Sequence, residues 1–402
     1  MKLESFEGLG IIPIDILQQG TKKIVEFVLD LFRSPSGDPL FRSKLMVVGY
    51  ESVGKTTILD CLFPLEGYLT QRGKISKTKY WFKLQGNSLR KYEKRGDVVP
   101  HKEKVIVFEN RQWEVTPLAK DFGIKVTQKK SGWKEIELYC GDKITQEAWL
   151  SRLRRVCINE ATHGIEIQSH SIDNEITSEY FKKSVFAGKE IGDGGKVDVS
   201  VWNFAGQQDY YNNHQYFIST RTVFLVLWKM SDGDEKGMRG LEFWFRSLAT
   251  HLGVSSSSTV SSPSSSSGVG EGEGELAPLH AAASLSGTYY SVIVVGTFLD
   301  HPSVKKEEKA VRQKKIEGIA QECGLGSSSS LQYYEVSCSS SLENIGEVQD
   351  GIVRTMLSHS YMGERVPKSY LQLSTILQKL RKQETLPLIS LSELGKDISN
   401  VD

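Results

Sequence analysis

Gly49-Tyr50-Glu51-Ser52-Val53-Gly54-Lys55-Thr56 decides how this chain is read. It fits G-x-x-x-x-G-K-[ST], with the apolar run KLMVV before it and the helix-like TTILDCLF after it. The order is a chemical requirement. Glycines let backbone N–H groups wrap phosphates, the lysine reaches the terminal phosphates, and the hydroxyl ligates Mg²⁺. A tight glycine turn alone would leave Lys55 unexplained.

Working outward, three apolar runs read as strands buried on both faces: Lys44 to Val48, Val223 to Trp228 and Val292 to Val295. VDVSVW, from Val197, alternates and suits a strand nearer the edge. Helical patterns lie between and after them, at Gly240 to Leu252, Lys305 to Cys323 and Leu342 to His359. Strands alternating with helices predict a doubly wound α/β domain. The run Ser255 to Ser267, ten serines in thirteen residues, and the GVGEGEGE that follows offer nothing to a core and read as a disordered loop, 253–287.

The 402 residues, at roughly 150 per domain, suggest two or three domains. Fifty Lys and Arg against 49 Asp and Glu exclude a uniformly basic nucleic-acid binder. The balance is local, however: Glu66 to Cys157 holds 21 basic and 11 acidic residues, so the remainder is acidic. That segment also changes pattern. GYLTQRG, YWFKLQGN, SLRKYEK, KVIVFEN, FGIKVTQ and KEIELYC are short strand-like runs, closed by the amphipathic ITQEAWLSRLRRVC. An all-β module with a C-terminal helix is predicted inside the α/β domain.

The five cysteines, Cys61, Cys140, Cys157, Cys323 and Cys338, are scattered and odd in number, which suits a reducing compartment. The opening MKLESFEGLG has no apolar core of signal-peptide type, and no apolar run approaches the ~20 residues of a membrane span. The expected location is cytoplasmic, with any membrane contact peripheral.

Downstream, Val201-Trp202-Asn203-Phe204-Ala205-Gly206-Gln207 follows a strand and precedes QDYYNNHQYFIS. Here the chain resembles the Ras-like GTPase domain of the Roco family, called Ras of complex proteins, whose switch II commonly reads W-D-F-A-G-Q before a tyrosine-rich stretch. The resemblance implies a small-GTPase-like fold that binds GTP or GDP with Mg²⁺. Gly49, Glu51, Ser52, Val53, Gly54, Lys55, Thr56 and Thr57 would then hold the phosphates, Gly206 would meet the γ-phosphate, and Gln207 would orient the attacking water, with Lys55 neutralising charge. Asn203 stands where the family has aspartate. A neutral amide accepts a hydrogen bond but brings no charge to the water shell of Mg²⁺, which puts metal affinity and turnover in question; alternatively Asn203 merely ends a strand.

Thr297-Phe298-Leu299-Asp300 is similar to the family's T-H-x-D variant of the guanine-reading motif, in which the aspartate accepts two guanine N–H donors. Ser337 and Cys338 match the last guanine-contacting loop in position. Ala161-Thr162-His163-Gly164-Ile165-Glu166-Ile167 resembles switch I, making Thr162 a second hydroxyl on Mg²⁺ beside Thr56 and Asn203. Ile12 to Ile16 and the helix after them resemble the linker that follows leucine-rich repeats. Val366-Pro367-Lys368-Ser369-Tyr370 and the rest of the C-terminus resemble the opening of the family's COR domain, too short here to be whole, so a fragment of a larger protein is expected.

The basic module resembles a pleckstrin homology domain, in its G-x-L opening, its W-F-x-L strand and Trp149 in the closing helix. That implies a barrel with a C-terminal helix, and makes Arg72, Lys74, Lys77 and Lys79 candidate ligands for a phosphoinositide headgroup. Lys79 and Tyr80 stand before Trp81, where tight binders of the triphosphorylated lipid usually show arginine. Specific lipid recognition, general attraction to anionic membrane, and protein binding stay open. The predicted domains are a linker over 1–42, the GTPase over 43–65 and 158–359, the insertion over 66–157, and the start of COR over 360–402. The expected activity is a slow GTPase switch, the enzyme assignment being left uncertain by Asn203. Its rivals are a hydrolysis-deficient scaffold whose insertion binds protein, and an ATPase. Protein effectors and a homodimer in the full-length protein are implied partners; nucleic acid is not.

Overall fold

The computed structural model describes residues 16, 19–33, 39–73, 76–101, 105–108, 112–129, 135–158, 162, 164–183, 195–207, 211–252, 290–325 and 331–383. The serine-rich run, Ile12 to Asp15, Lys74, Ala161, His163 and residues 384–402 lie outside them.

In chain order the elements are α1 (Thr21–Arg33), β1 (Pro39–Leu40), β2 (Arg42–Val48) and α2 (Lys55–Leu62). Seven strands follow: β3 (Leu65–Arg72), β4 (Lys77–Gln85), β5 (Ser88–Tyr92), β6 (Val105–Val107), β7 (Trp113–Pro117), β8 (Gly123–Gln128) and β9 (Glu135–Tyr139). Then come α3 (Lys143–Ile158), β10 (Ile165–Ile172), α4 (Glu175–Lys183), β11 (Val197–Phe204) and the short α5 (Tyr211–His214). The last are β12 (Thr222–Lys229), α6 (Asp234–His251), β13 (Tyr290–Thr297), α7 (Lys309–Glu322), β14 (Gln332–Glu335), α8 (Ile345–Ser358), β15 (Glu364–Arg365) and α9 (Lys368–Gln383).

The chain divides into two compact units. The smaller is drawn from 1–43, 171–199 and 356–402. In it β1 pairs antiparallel with β15, and Phe27 of α1 meets Tyr370 of α9 edge to face at 6.0 Å. The residues read as linker and as COR opening thus share one packed unit.

The larger unit, Lys44–His170 and Ser200–Thr355, carries both principal sheets. The first runs β10-β11-β2-β12-β13-β14, with β2, β12, β13 and β14 in parallel register. Its middle strands are buried from end to end because every residue faces a covered surface: β12 is buried over seven of its eight positions and β13 over all eight. Met46, Phe224, Val226, Val292 and Val294 pack on one face with Trp244, Phe245 and Leu248 of α6 and Ile316 of α7. The neighbours that alternate with them, Leu45, Val47, Leu225 and Ile293, are also fully buried, so the sheet is covered on both sides. The alternating strand read at Val197 lies second from the edge. The edge strand β10 was not read as a strand from sequence, because IEIQSHSI mixes polar residues into its run.

The second sheet runs β6-β5-β4-β3-β9-β8-β7, antiparallel throughout. Seven strands stand where sequence reads six. The missing one, Trp113–Pro117, is an edge strand ending in proline, and proline argues against a strand unless it sits at such an edge. Helix α3 closes the module: Trp149 and Leu153 are buried against Leu69, Phe82, Leu84, Ile124 and Leu138. Trp149 is therefore core.

Candidate functional site

The loop between β2 and α2 takes its shape from backbone torsions that side chains resist. Gly49 and Gly54 have φ of +150° and +90°, and a Cβ on Gly49 would sit 2.6 Å from Leu227 O. Ser52 adopts φ +61° without being glycine. The loop ends at the N-terminus of α2, whose first residue is Lys55. Lys55 is buried, and its Nζ donates to Gly49 O at 2.9 Å and Tyr50 O at 2.8 Å. Burial pulls its pKa down to about 8, partly opposed by the charge of Glu51. A buried ammonium at the N-terminus of a helix, where backbone N–H groups are left without helical partners, is an anion-binding arrangement.

The sequence candidates from distant segments converge here. Thr56 Oγ1 and Thr162 Oγ1 lie 2.7 Å apart. Asn203 Nδ2 donates to both, at 3.2 and 3.1 Å, and to Glu166 Oε2 at 3.4 Å. Asn203 is buried, and its Oδ1 has no hydrogen-bond partner. Two hydroxyls and a carboxylate are hard-oxygen donors of the kind Mg²⁺ prefers, and the orphaned Asn203 Oδ1 would join them were the amide turned over, so these residues fit that ion. No cluster of three or more His, Cys, Asp and Glu side chains suited to a metal occurs among the described residues. Any metal here relies on hydroxyl oxygens.

Gly206 closes over the loop, where a Cβ would collide with Lys55 Nζ and approach Glu51 N to 2.6 Å. Its carbonyl accepts from Tyr211 OH at 2.9 Å, and Tyr211 stacks on Tyr50 at 6.0 Å. Gln207 follows, half-buried.

On the other side of the loop, Thr297 at the end of β13 donates through Oγ1 to Val53 O at 2.8 Å and Trp228 O at 3.1 Å. Parallel pairing of β12 with β13 makes this inevitable, since it brings both C-terminal ends to one edge. Phe298, at φ +64° and exposed, lies beside Gly54 and beneath Lys229 Nζ, 5.1 Å from its ring centroid. Asp300 is exposed two residues on. The Ser337 loop adjoins it: Leu299 N donates to Val336 O at 3.0 Å. Ser337 is buried and Cys338 half-buried.

Sequence reasoning missed a second layer. Arg152 and Arg155, on the helix closing the inserted module, both reach Asp60 Oδ1 on α2, Arg155 at 2.7 Å. Arg155 also donates to Glu166 Oε1 at 2.7 Å. The turn between β4 and β5 docks on the same helix, with Gly86 N donating to Asp60 O at 3.1 Å and Gln85 Nε2 to Cys61 O at 2.8 Å. The only available sequence signal was polar alternation in β10, where Glu166, Gln168 and His170 share one face.

Of the lipid candidates, Arg72, Lys77 and Lys79 are exposed, and Lys74 lies outside the described residues. Arg72 pairs with Glu137 and Lys77 with Asp121, each at 3.2 Å, while Lys79 lies over the Tyr68 ring at 5.1 Å.

Residues 151–261 match the family profile described as Roc, Ras of Complex, domain of DAPkinase. The α/β part of the chain is similar to the Roc domains of Roco proteins. Over 206 residues the chain is 25% identical to the probable serine/threonine-protein kinase pats1 of Dictyostelium discoideum, covering 49% of this chain and 5% of that protein. Over 50 residues it is 50% identical to the leucine-rich repeat serine/threonine-protein kinase 1 of Caenorhabditis elegans, covering 12% of this chain and 2% of that one. A solved structure of Methanosarcina barkeri Roco2 RocCORdC bound to GDP aligns with a TM-score of 0.41 at 15% identity, over 90% of this chain and 63% of that one. The chain spans only a small fraction of its curated relatives' length. No helix among the described residues is long and apolar enough to cross a membrane.

Proposed function

We propose that the chain is a guanine-nucleotide-binding switch of the Roco type. The observation that carries this reading is the hydrogen bond from Thr297 to Val53, which ties the phosphate loop to the base-reading segment within one unit. Gly49, Glu51, Ser52, Val53, Gly54, Lys55, Thr56 and Thr57 hold the phosphates through loop N–H groups and the lysine. Asp300 accepts from guanine, Phe298 packs over the base, and Ser337 and Cys338 border it. Thr56 and Thr162 hold Mg²⁺, which on binding neutralises phosphate charge. Calorimetric titration of GDP, GTP and ATP with and without Mg²⁺ tests this. Equal ATP affinity would sink the guanine assignment.

The activity is slow hydrolysis, with Gln207 beside the loop to orient water and Lys55 to stabilise charge. The buried amide of Asn203 supports the rival reading, a scaffold that binds nucleotide without turning it over. Single-turnover hydrolysis by native protein and Asn203→Asp separates them: measurable native turnover removes the scaffold, and turnover only in the variant removes the enzyme.

The inserted sheet and helix serve as a pleckstrin-homology-like docking module, working in the cytoplasm and at membrane surfaces. The carboxylates beside Arg72 and Lys77 support weak attraction to anionic lipid or a protein ligand over a tight headgroup site. Sedimentation with liposomes with and without phosphatidylinositol phosphates tests this. Protein effectors and a homodimer belong to the same reading of the longer protein, which size-exclusion chromatography with light scattering can check.

A further inference from the structure

We propose that Glu166 is the carboxylate of the Mg²⁺ site, supplying from β10 the negative charge that residue 203 lacks, and that Arg155 of the inserted module holds it in position. The inference rests on the guanine-nucleotide reading above. Its geometry is a convergence: Thr56 Oγ1, Thr162 Oγ1 and Glu166 Oε2 surround one N–H donor, the Asn203 amide nitrogen, at 3.2, 3.1 and 3.4 Å. Oxygens gathered about a positive pole define the place a hard cation or its water shell prefers. Among the described residues, Glu166 brings the only carboxylate hydrogen-bonded to Asn203 or either threonine.

The two oxygens of Glu166 have separate duties. Oε1 accepts from Arg155 Nη1 and from Gln168 Nε2, both at 2.7 Å, which fixes the carboxylate plane. Oε2 is left facing Asn203 and the threonines. Burial raises the pKa of Glu166, but the Arg155 charge and hydrogen bonds from Gln168, Asn203 and Arg155 outweigh it and keep it ionised. Arg155 also pairs with Asp60 Oδ1, which Arg152 contacts, so the two guanidiniums and two carboxylates form one neutral network in which Glu166 Oε2 is the negative end turned toward Asn203 and the threonines. The orphaned Asn203 Oδ1 fits the same account. An amide turned to offer its oxygen would face the Glu166 carboxylate unless a cation or its water lay between them. Glu166 is a positioning residue for the metal shell, and Arg155 positions it in turn.

The test uses the full chain and a fluorescent GDP, measuring its dissociation rate as free Mg²⁺ is titrated against EDTA. Glu166→Gln keeps an acceptor for Arg155, removes the charge and puts an amide N–H group where Oε2 accepted from Asn203. The half-maximal Mg²⁺ concentration should rise about tenfold or more, the usual cost of an outer-shell ligand, each protein being read against its own metal-free rate. Adding Asn203→Asp to that variant should restore the native Mg²⁺ dependence, which a structural defect would not do. A half-maximal concentration unaltered by Glu166→Gln, with GDP still bound, overturns the inference and leaves the nucleotide reading intact. Failure of native protein to bind GDP with or without Mg²⁺ overturns that reading instead.

Discussion

Arg155, on the helix that ends the inserted module, donates to Asp60 on the phosphate-loop helix at 2.7 Å. The insertion leaves the chain after α2 and returns to it before β10, so a helix encoded about ninety residues downstream is pinned to the element that begins with Lys55. A long insertion at a surface connection costs little loop entropy, and ion pairing across the junction makes the two parts one packed body. A ligand on the module that moves α3 would change nucleotide affinity, and nucleotide would change ligand affinity by the same factor.

Removing Asp60 tests that pinning. Its carboxylate is buried and faces two guanidiniums, and burial already lowers the pKa of Arg152 to about 10, with Arg155 adding repulsion. Asp60→Ala leaves Arg152 without a carboxylate and Arg155 with Glu166 alone, and leaving a buried cation unpaired costs roughly 3–5 kcal/mol. Urea denaturation should show the loss. The double variant Asp60→Leu with Arg152→Met should recover much of it, since apolar replacement of a buried pair is often neutral.

Lys55 predicts a pH limit on nucleotide binding. Its pKa of about 8 in the free protein means the amine is charged below that pH, so affinity is flat there with respect to this group. Above pH 8 the neutral amine must take up a proton to meet phosphate, and affinity should fall by up to about tenfold per pH unit. Calorimetry at pH 8.5 in two buffers of different ionisation enthalpy should register proton uptake. The same shift makes the free protein gain stability between pH 8 and the ordinary lysine value, because over that range the unfolded chain binds the extra proton.

His214 sets an acid limit. It is buried against Phe204, Tyr211 and Trp244, and neither ring nitrogen has a hydrogen-bond partner. Burial, then the charge of Lys55, lowers its pKa to about 4. The unfolded chain therefore takes a proton first as pH falls from 6.5, and stability drops between pH 6.5 and 4 by up to roughly 3 kcal/mol. His214→Phe should flatten that limb in melting temperatures measured across pH. A limb of unchanged slope would assign the loss to other groups, such as His170, which is also lowered to about 4 by burial and the charge of Arg152.

What could be read from sequence follows a physical division. The phosphate loop was legible because its torsions admit few residues at positions 49 and 54, and β12 and β13 because burial on both faces demands unbroken apolar runs. Thr297 and Asp300 stand out through their resemblance to a guanine-reading motif, and the structure ties the first of them to the phosphate loop. Trp113–Pro117 was hidden by its proline, and β10 by polar residues serving an ion-pair network. Glu166 lies within the stretch that resembles switch I but carried no role there, since its place depends on Arg155, eleven residues earlier, and Asn203, 37 later. Such a site exists only once the fold has gathered its members.

Gly86 offers the sharpest probe of the junction. It turns from β4 to β5 at φ +54°, and an added Cβ would lie 2.9 Å from Cys61 Sγ and 3.5 Å from Cys338 O. Cys61 sits on α2, which begins with Lys55, and Cys338 in the loop that Leu299 meets at Val336 O, so one turn of the insertion lies against elements on both sides of the proposed nucleotide site. Gly86→Ala must strain its backbone or push the turn away, at a cost of about 1–3 kcal/mol. Overpacking at this point should displace Cys338 along with α2. We expect Gly86→Ala to speed GDP release several-fold, while an alanine at Gly96, where a Cβ meets nothing within 4 Å, leaves the rate unchanged. Stopped-flow dissociation of fluorescent GDP measures both. Equal rates would show that the insertion rests on the phosphate-loop helix without bearing on the nucleotide.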